Sequence, residues 1–200
     1  FKPEIVIHMA AQAILRESYT NPIETYATNV MGTVNLLEAI RKVGNVKVIL
    51  NVTTDKCYEP NIISNGHIET DRLGGYDPYS NSKACSELIT ASFRNSFFNL
   101  KKNQGSGISL TTCRAGNVIG GGDWGKDRLI PDIMKGILDN NLIKIRNPNS
   151  TRPWQYVLDP LNGYLTLIEK LWLSGSEFSE AWNFGPLEND EKSVKWIGLK

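Results

Sequence analysis

Apolar positions fall into two rhythms along the chain. Ile5 to His8 and Val46 to Val52 (V-K-V-I-L-N-V) are nearly continuous apolar runs, as expected for parallel strands covered on both faces. Between them, Asn21-Pro22 opens a helix that runs to about Val43 and stops at Gly44. Ile23, Tyr26, Ala27, Val30, Val34 and Leu37 recur at three and four residues and predict its inward stripe. Asn29 interrupts that stripe on the inward side, where a buried amide needs partners. A second helix is predicted from Pro78, with Asp77 as its cap, to about residue 99, and a third strand from Ile108 to Cys113. Strand, helix, strand, helix, strand argues for a doubly wound parallel α/β sheet.

The rest of the chain reads as a smaller lobe. A helix is predicted over Leu129 to Leu138 and a short strand over Ile143 to Ile145. A further helix, 159 to 173, would turn Leu161, Tyr164, Leu165, Ile168 and Leu171 inward, and Ala181 to Gly185 reads as a last strand and turn. The chain opens Phe-Lys-Pro-Glu without an initiating Met and closes on what reads as a helix's first turn, so both ends are expected to be truncated.

Composition narrows the function. Two hundred residues with 40% apolar content suffice for one α/β domain or a domain and a half. A formal net charge of +1, with no dense Lys/Arg cluster, argues against a nucleic-acid partner. Cys57, Cys85 and Cys113 stand singly, match no metal spacing and leave an odd thiol, which fits a reducing cytoplasm. No signal peptide or membrane span is visible.

Candidate chemistry is concentrated between Thr53 and Lys83. Thr54, Asp55 and Lys56 follow the second strand at its carboxyl end, where open α/β sheets place ligands. Tyr79 and Lys83 stand at i and i+4 on one helix face. An ammonium one turn away favours the phenolate, making Tyr79 an acid–base candidate; an ordinary surface aromatic–lysine pair is the competing reading. Residues 59 to 76 form a polar loop long enough to fold over a ligand. Small residues Ala10 and Ala11, with Gln12, let a ligand approach the first strand's end, or simply pack tightly, and His8 reads as a satisfied strand residue. The Gly120-Gly121-Gly122 loop with Lys126 and Arg128 suits a phosphate or is merely flexible. Arg152 is a diphosphate ligand or a surface ion-pair partner, and Trp154 is core or a ring platform.

In combination, H-M-A-A-Q, T-T-D-K, Y-S-N-S-K, R-A-G-N-V-I-G-G-G-D-W and R-P-W-Q-Y-V resemble the extended short-chain dehydrogenase/reductase family, specifically its nucleotide-sugar 4,6-dehydratase branch that takes CDP-glucose. The resemblance implies a Rossmann-like fold lacking its amino-terminal glycine-rich loop. Residues 1–120 would then be the later part of the NAD-binding domain, with 181–185 returning to it, and 121–200 a partial nucleotide-sugar-binding lobe. It implies NAD as cofactor and conversion of CDP-glucose to CDP-4-keto-6-deoxyglucose plus water, in deoxysugar biosynthesis. Thr54 would orient the substrate oxygen, Tyr79 exchange its proton and Lys83 bind the nicotinamide ribose, with Asp55 as acid and Lys56 as the C5 base or enolate stabiliser. Ala10, Ala11 and Gln12 would neighbour the cofactor, Asn29 would support the site, and Asn117, Leu129 and Arg152 would take the nucleotide and diphosphate. A homodimer or higher homo-oligomer through the Tyr-bearing helix and the helix before it is also implied. A nucleotide-sugar epimerase or reductase and a non-catalytic fragment are the alternatives.

Overall fold

The computed structural model describes residues 2–60, 66–98, 107–187 and 190–199. Residues 61–65 of the predicted 59–76 loop, and residues 101–106 of the turn expected over 101–107, lie outside them. Two compact units are present, 1–115 with 162–184, and 116–161 with 185–200. The expected boundary after residue 120 left helix 159–173 with the lobe, whereas the units place 162–184 with the sheet.

The first unit is built on four parallel strands in the order β1 (Ile5–His8), β2 (Val48–Val52), β3 (Ser109–Ala115) and β6 (Ala181–Phe184). Four of the five β2 residues and all seven of β3 are buried, so helices cover both faces, as the apolar run of β2 requires. Yet β3 reads S-L-T-T-C-R-A, and its buried polar groups need partners.

Those partners come from the helices. After α1 (Leu15–Thr20), α2 (Pro22–Tyr26), a π-helical turn (Ala27–Met31) and α3 (Gly32–Val43) succeed one another, ending at Gly44 with φ 74°, a left-handed conformation that suits glycine. The inward stripe differs from the predicted one. Thr25, Asn29, Thr33, Leu37 and Ile40 are buried, while Ile23 and Ala27 are exposed, because Asn29 and Thr33 find bonds on α4 (Pro78–Ser96) and Thr25 bonds to Gln12. Asp77 caps α4 as predicted, accepting from Ser80 N at 2.9 Å and Ser80 Oγ at 2.6 Å. α6 (Leu158–Phe178) departs from helical geometry at Ser174. It buries Tyr164, Leu167, Ile168 and Leu171, and exposes Leu165.

The second unit holds a three-stranded sheet, β4 (Asn117–Ile119), β5 (Thr151–Tyr156) and β7 (Glu191–Ser193), with α5 (Leu129–Leu138) and α7 (Val194–Gly198). β4 and β5 are parallel, β5 and β7 antiparallel. No strand forms over 143–145. Ile143 and Ile145 instead pack so closely on Gly136 and Gly198 that a Cβ at either glycine would lie 2.4 or 2.6 Å from them. Their alternation therefore reflects burial against helices, not strand pairing. No helix among the described residues is long and apolar enough to cross a membrane.

Candidate active site

At the carboxyl end of β2, Thr54 is extended (φ −167°, ψ 155°) and opens a single 3₁₀ turn, Asp55–Cys57. Its Oγ1 accepts from Lys56 N at 3.4 Å and donates to Asp55 Oδ1 at 3.0 Å. Lys56 Nζ lies 3.7 Å from the same carboxylate oxygen. A buried hydroxyl, a carboxylate and an ammonium thus share one turn, which packs against α4. On α4, Lys83 is buried and its Nζ donates to the Val52 carbonyl at 3.0 Å, tying the helix to the strand that ends in Thr54. Burial pushes the Lys83 pKa down to about 8, against the opposing pull of Glu87. The side chain is therefore still mostly an ammonium at neutral pH. Tyr79 sits half-buried one turn earlier.

The segment after β1 is pinned to the same assembly. Gln12 N donates to Asn29 Oδ1 at 2.8 Å, and Asn29 Nδ2 donates to the Gln12 carbonyl at 3.0 Å and to Ser82 Oγ at 2.9 Å. Asn29 therefore joins the β1 end to α4 from within the π-helical turn, a feature frequent at functional sites. Gln12 Nε2 donates to Thr25 Oγ1 at 2.8 Å. Ala10 is exposed and Ala11 half-buried. His8 Nε2 lies 3.5 Å from Thr33 Oγ1, and burial, then the charge of Lys83, lowers its pKa, so it is a neutral strand residue. Burial likewise pushes the Cys57 thiol up to about 12 and raises Cys113, leaving both unreactive.

Reading the sequence missed the polar layer beneath these groups. Glu87 accepts from Thr53 Oγ1, from Thr112 Oγ1 at 2.7 Å and from Arg114 Nη2 at 2.8 Å. Asn51 Nδ2 donates to Ser86 Oγ at 3.1 Å and Thr90 Oγ1 at 2.8 Å, and Ser86 Oγ lies 3.0 Å from Thr33 Oγ1. Burial alone would depress the Arg114 pKa, but its hydrogen bond to Glu87 and that carboxylate's charge raise it. The available signal was the four-residue spacing of Ser82, Ser86 and Thr90 on one face of α4.

In the second unit, Asn117 pairs in register with Trp154, so Arg152, two residues earlier on β5, shares a sheet face with that pair. Among the described residues, the buried Asn117 Oδ1 has no hydrogen-bond partner. Arg152 Nη1 donates to the Thr151 carbonyl at 2.8 Å, and its register neighbour is Lys192. Trp154 Nε1 donates to the Lys192 carbonyl at 2.9 Å. Leu129 is the first residue of α5. The charge expected from Arg128 for a phosphate is already met by Asp123 at 2.8 Å, and Gly120 is required by packing, since a Cβ there would lie 2.8 Å from Val157. A cavity of about 540 Å³ is lined by Trp154, the candidate ring platform, with Tyr156, Asp159, Lys192 and Trp196, and by none of the residues expected to act in catalysis or to hold the cofactor or diphosphate.

Residues 1–183 match the NAD dependent epimerase/dehydratase family. The chain belongs to that family. It is 57% identical over 197 residues to CDP-glucose 4,6-dehydratase of Salmonella typhimurium, covering 98% of this chain and 55% of that protein. A solved dTDP-glucose 4,6-dehydratase from Bacillus anthracis, in complex with NAD, superposes with a TM-score of 0.74 at 24% identity, over 98% of this chain and 55% of that one. UDP-glucose 4-epimerase from Thermotoga maritima superposes at 0.81 and 24% identity, over 98% of this chain and 59% of that one. These neighbours share the Rossmann-like fold that the strand and helix pattern predicts. The chain spans a little over half the length of these family relatives.

Proposed function

We propose that the chain carries the catalytic residues of a CDP-glucose 4,6-dehydratase, an NAD-dependent lyase that makes CDP-4-keto-6-deoxyglucose and water. The observation that carries this reading is the Thr54–Lys56 turn packed against α4, with Asp55 and Lys56 3.7 Å apart. Epimerisation at C4 needs only a hydroxyl, a phenol and an ammonium, whereas dehydration needs an added acid and base. The 57% identity to the Salmonella enzyme supports the same choice.

The residues at the strand ends fit a nicotinamide cofactor: Ala10 is exposed with no bulk beyond its Cβ, the adjoining backbone is pinned by Asn29, and Lys83 is a buried cation. When bound, NAD supplies the acceptor for the C4 hydride and its donor at C6. In this reading Thr54 orients the C4 oxygen, Tyr79 takes its proton, and Lys83 holds the phenolate and the nicotinamide ribose. Ala10, Ala11 and Gln12 border the cofactor. The C5 hydrogen leaves as a proton on the Lys56 side while Asp55 protonates the departing C6 hydroxyl, giving water. An ammonium must first shed its proton to act as a base, so Lys56 is either that base or the enolate's counter-charge. An unchanged rate of C5 hydrogen exchange in Lys56→Met excludes the base role.

Asn117, Leu129 and Arg152, all in the unit of residues 116–161 with 185–200, take the CDP portion. The unpartnered Asn117 Oδ1 supports that assignment as an acceptor for a hydroxyl or amino group of the nucleotide. We also expect a cytoplasmic homodimer or higher homo-oligomer through the Tyr79-bearing α4 and the helix before it; Leu88 on α4 and Met31, at the end of the π-helical turn, are exposed apolar side chains. The test is the absorbance of the 4-keto product after purified protein is mixed with NAD and CDP-glucose, with dTDP-glucose in parallel. Product from CDP-glucose alone is expected; a C4 epimer without loss of water overturns the reading.

A further inference from the structure

Arg114 and Asn183 are register neighbours at the carboxyl ends of β3 and β6, and both reach into the segment that follows the Asp55–Cys57 turn. Arg114 Nη1 donates to Tyr58 Oη at 2.7 Å and to the Glu69 carbonyl at 2.9 Å. Tyr58 Oη donates to Asn183 Oδ1 at 2.6 Å, Asn183 Nδ2 donates to the His67 carbonyl at 3.0 Å, and Asn183 N donates to Glu69 Oε1 at 2.8 Å. The ring of His67 stacks on Tyr58 at 4.4 Å, and the two arms of the segment pair through Glu59 N to the Arg72 carbonyl and Gly74 N to the Cys57 carbonyl, both at 2.9 Å.

A buried ion pair such as Glu87–Arg114 is a poor device for stability, because desolvation of both charges offsets their attraction. What an apolar pair could not do is present a rigid fork to Glu87 on α4 and to Tyr58 and Glu69 at once. We propose that Arg114 and Asn183 form a latch that, through Tyr58, positions Asp55 and Lys56, so that its loss impairs dehydration and spares oxidation at C4. Tyr58 lies two residues beyond Lys56, so the latch fixes the far end of the turn whose near end is fixed by β2. Of the groups assigned to oxidation, Thr54 sits at the near end of the turn, held by β2, Lys83 is tied to the Val52 carbonyl, and Tyr79 stands on α4, so their placement comes from β2 and α4 rather than from Tyr58.

The step-specific part rests on the function proposed above, and the test separates the two. Tyr58→Phe keeps the ring and removes both hydroxyl bonds; Asn183→Ala removes the other anchor. With NAD and CDP-glucose, each variant should lower product formation about ten-fold, the scale of a small misplacement of reacting groups. Exchange of the C5 hydrogen with solvent should slow in parallel, while the share of bound nicotinamide in its reduced form during turnover rises. A fall in rate with no rise in reduced nicotinamide overturns the proposal, since general loosening slows both steps. Without substrate, the acylation rate of Lys56, read by mass spectrometry, should change in both variants while that of Lys42 does not; an unchanged Lys56 also overturns it. Failure of the wild-type protein to dehydrate CDP-glucose, with the Lys56 change present, would count against the functional reading and for the latch.

Discussion

One face of the β2–β3 sheet changes character along its length. Toward the amino ends it presents Ile49 and Leu110, which join Leu37, Ile40, Val46, Phe98 and Ile108 in an apolar cluster with Ile89 and Phe93 against it. Two residues further along each strand the same face presents Asn51 and Thr112, then Thr53 and Arg114, bonded to Ser86, Thr90 and Glu87 of α4. α3 shows the same gradient, from Thr33 to Leu37 and Ile40. Apolar packing is non-directional and tolerates small shifts, whereas hydrogen bonds to buried groups fix orientation and are costly when lost. The end of the sheet that leads into Thr54 and Asp55, and that Lys83 of α4 grips through the Val52 carbonyl, is the directional end.

The largest effect that would break this contrast is expected from Glu87→Leu, which strands Arg114 without a counter-charge. Unfolding by urea should show a loss of about 3–5 kcal/mol, much of it recovered when Arg114 is also made Leu. Leu110→Ala, at the apolar end, should cost about 2–5 kcal/mol in the same assay but leave turnover per folded molecule unchanged. Asn51→Ala leaves the Ser86 and Thr90 hydroxyl oxygens short of a donor; about 1–3 kcal/mol is expected, together with reduced turnover. Taken per pH unit, the smallest effect is a pH slope. Lys83 has a folded pKa of about 8 against an ordinary 10.5, so between those values the unfolded chain binds more protons and stability rises with pH, by at most about 1.4 kcal/mol per pH unit. Below about pH 8 the slope from Lys83 vanishes. In Lys83→Met that rise should disappear from urea midpoints measured across the window. In the proposed mechanism turnover should fall over the same rise in pH, because Lys83 loses the charge that favours proton removal by Tyr79.

Much of this was legible in the sequence. β1, β2, the long helix to Gly44, the Asp77 cap and α5 follow from local signals, namely apolar runs, capping residues and a left-handed glycine. Tyr79, Lys83 and the Thr54–Lys56 cluster were legible because helical spacing and a strand's carboxyl end are local facts. The buried polar face of α4 was not. Ser82, Ser86 and Thr90 look like a solvent-facing stripe unless one knows that Asn29, Thr33 and Asn51, 35 to 53 residues away, supply their partners. The three-residue strands β4 and β7 are too short to show a period. Arg128 looked available to a phosphate because sequence does not reveal that Asp123 bends back to meet it.

The most direct test follows a label. CDP-glucose deuterated at C4 is turned over with NAD, and the product is analysed by nuclear magnetic resonance. CDP-4-keto-6-deoxyglucose with the deuterium at C6 and solvent hydrogen at C5 is the predicted result. Deuterium retained at C4 of a C4 epimer, with no water lost, would contradict it.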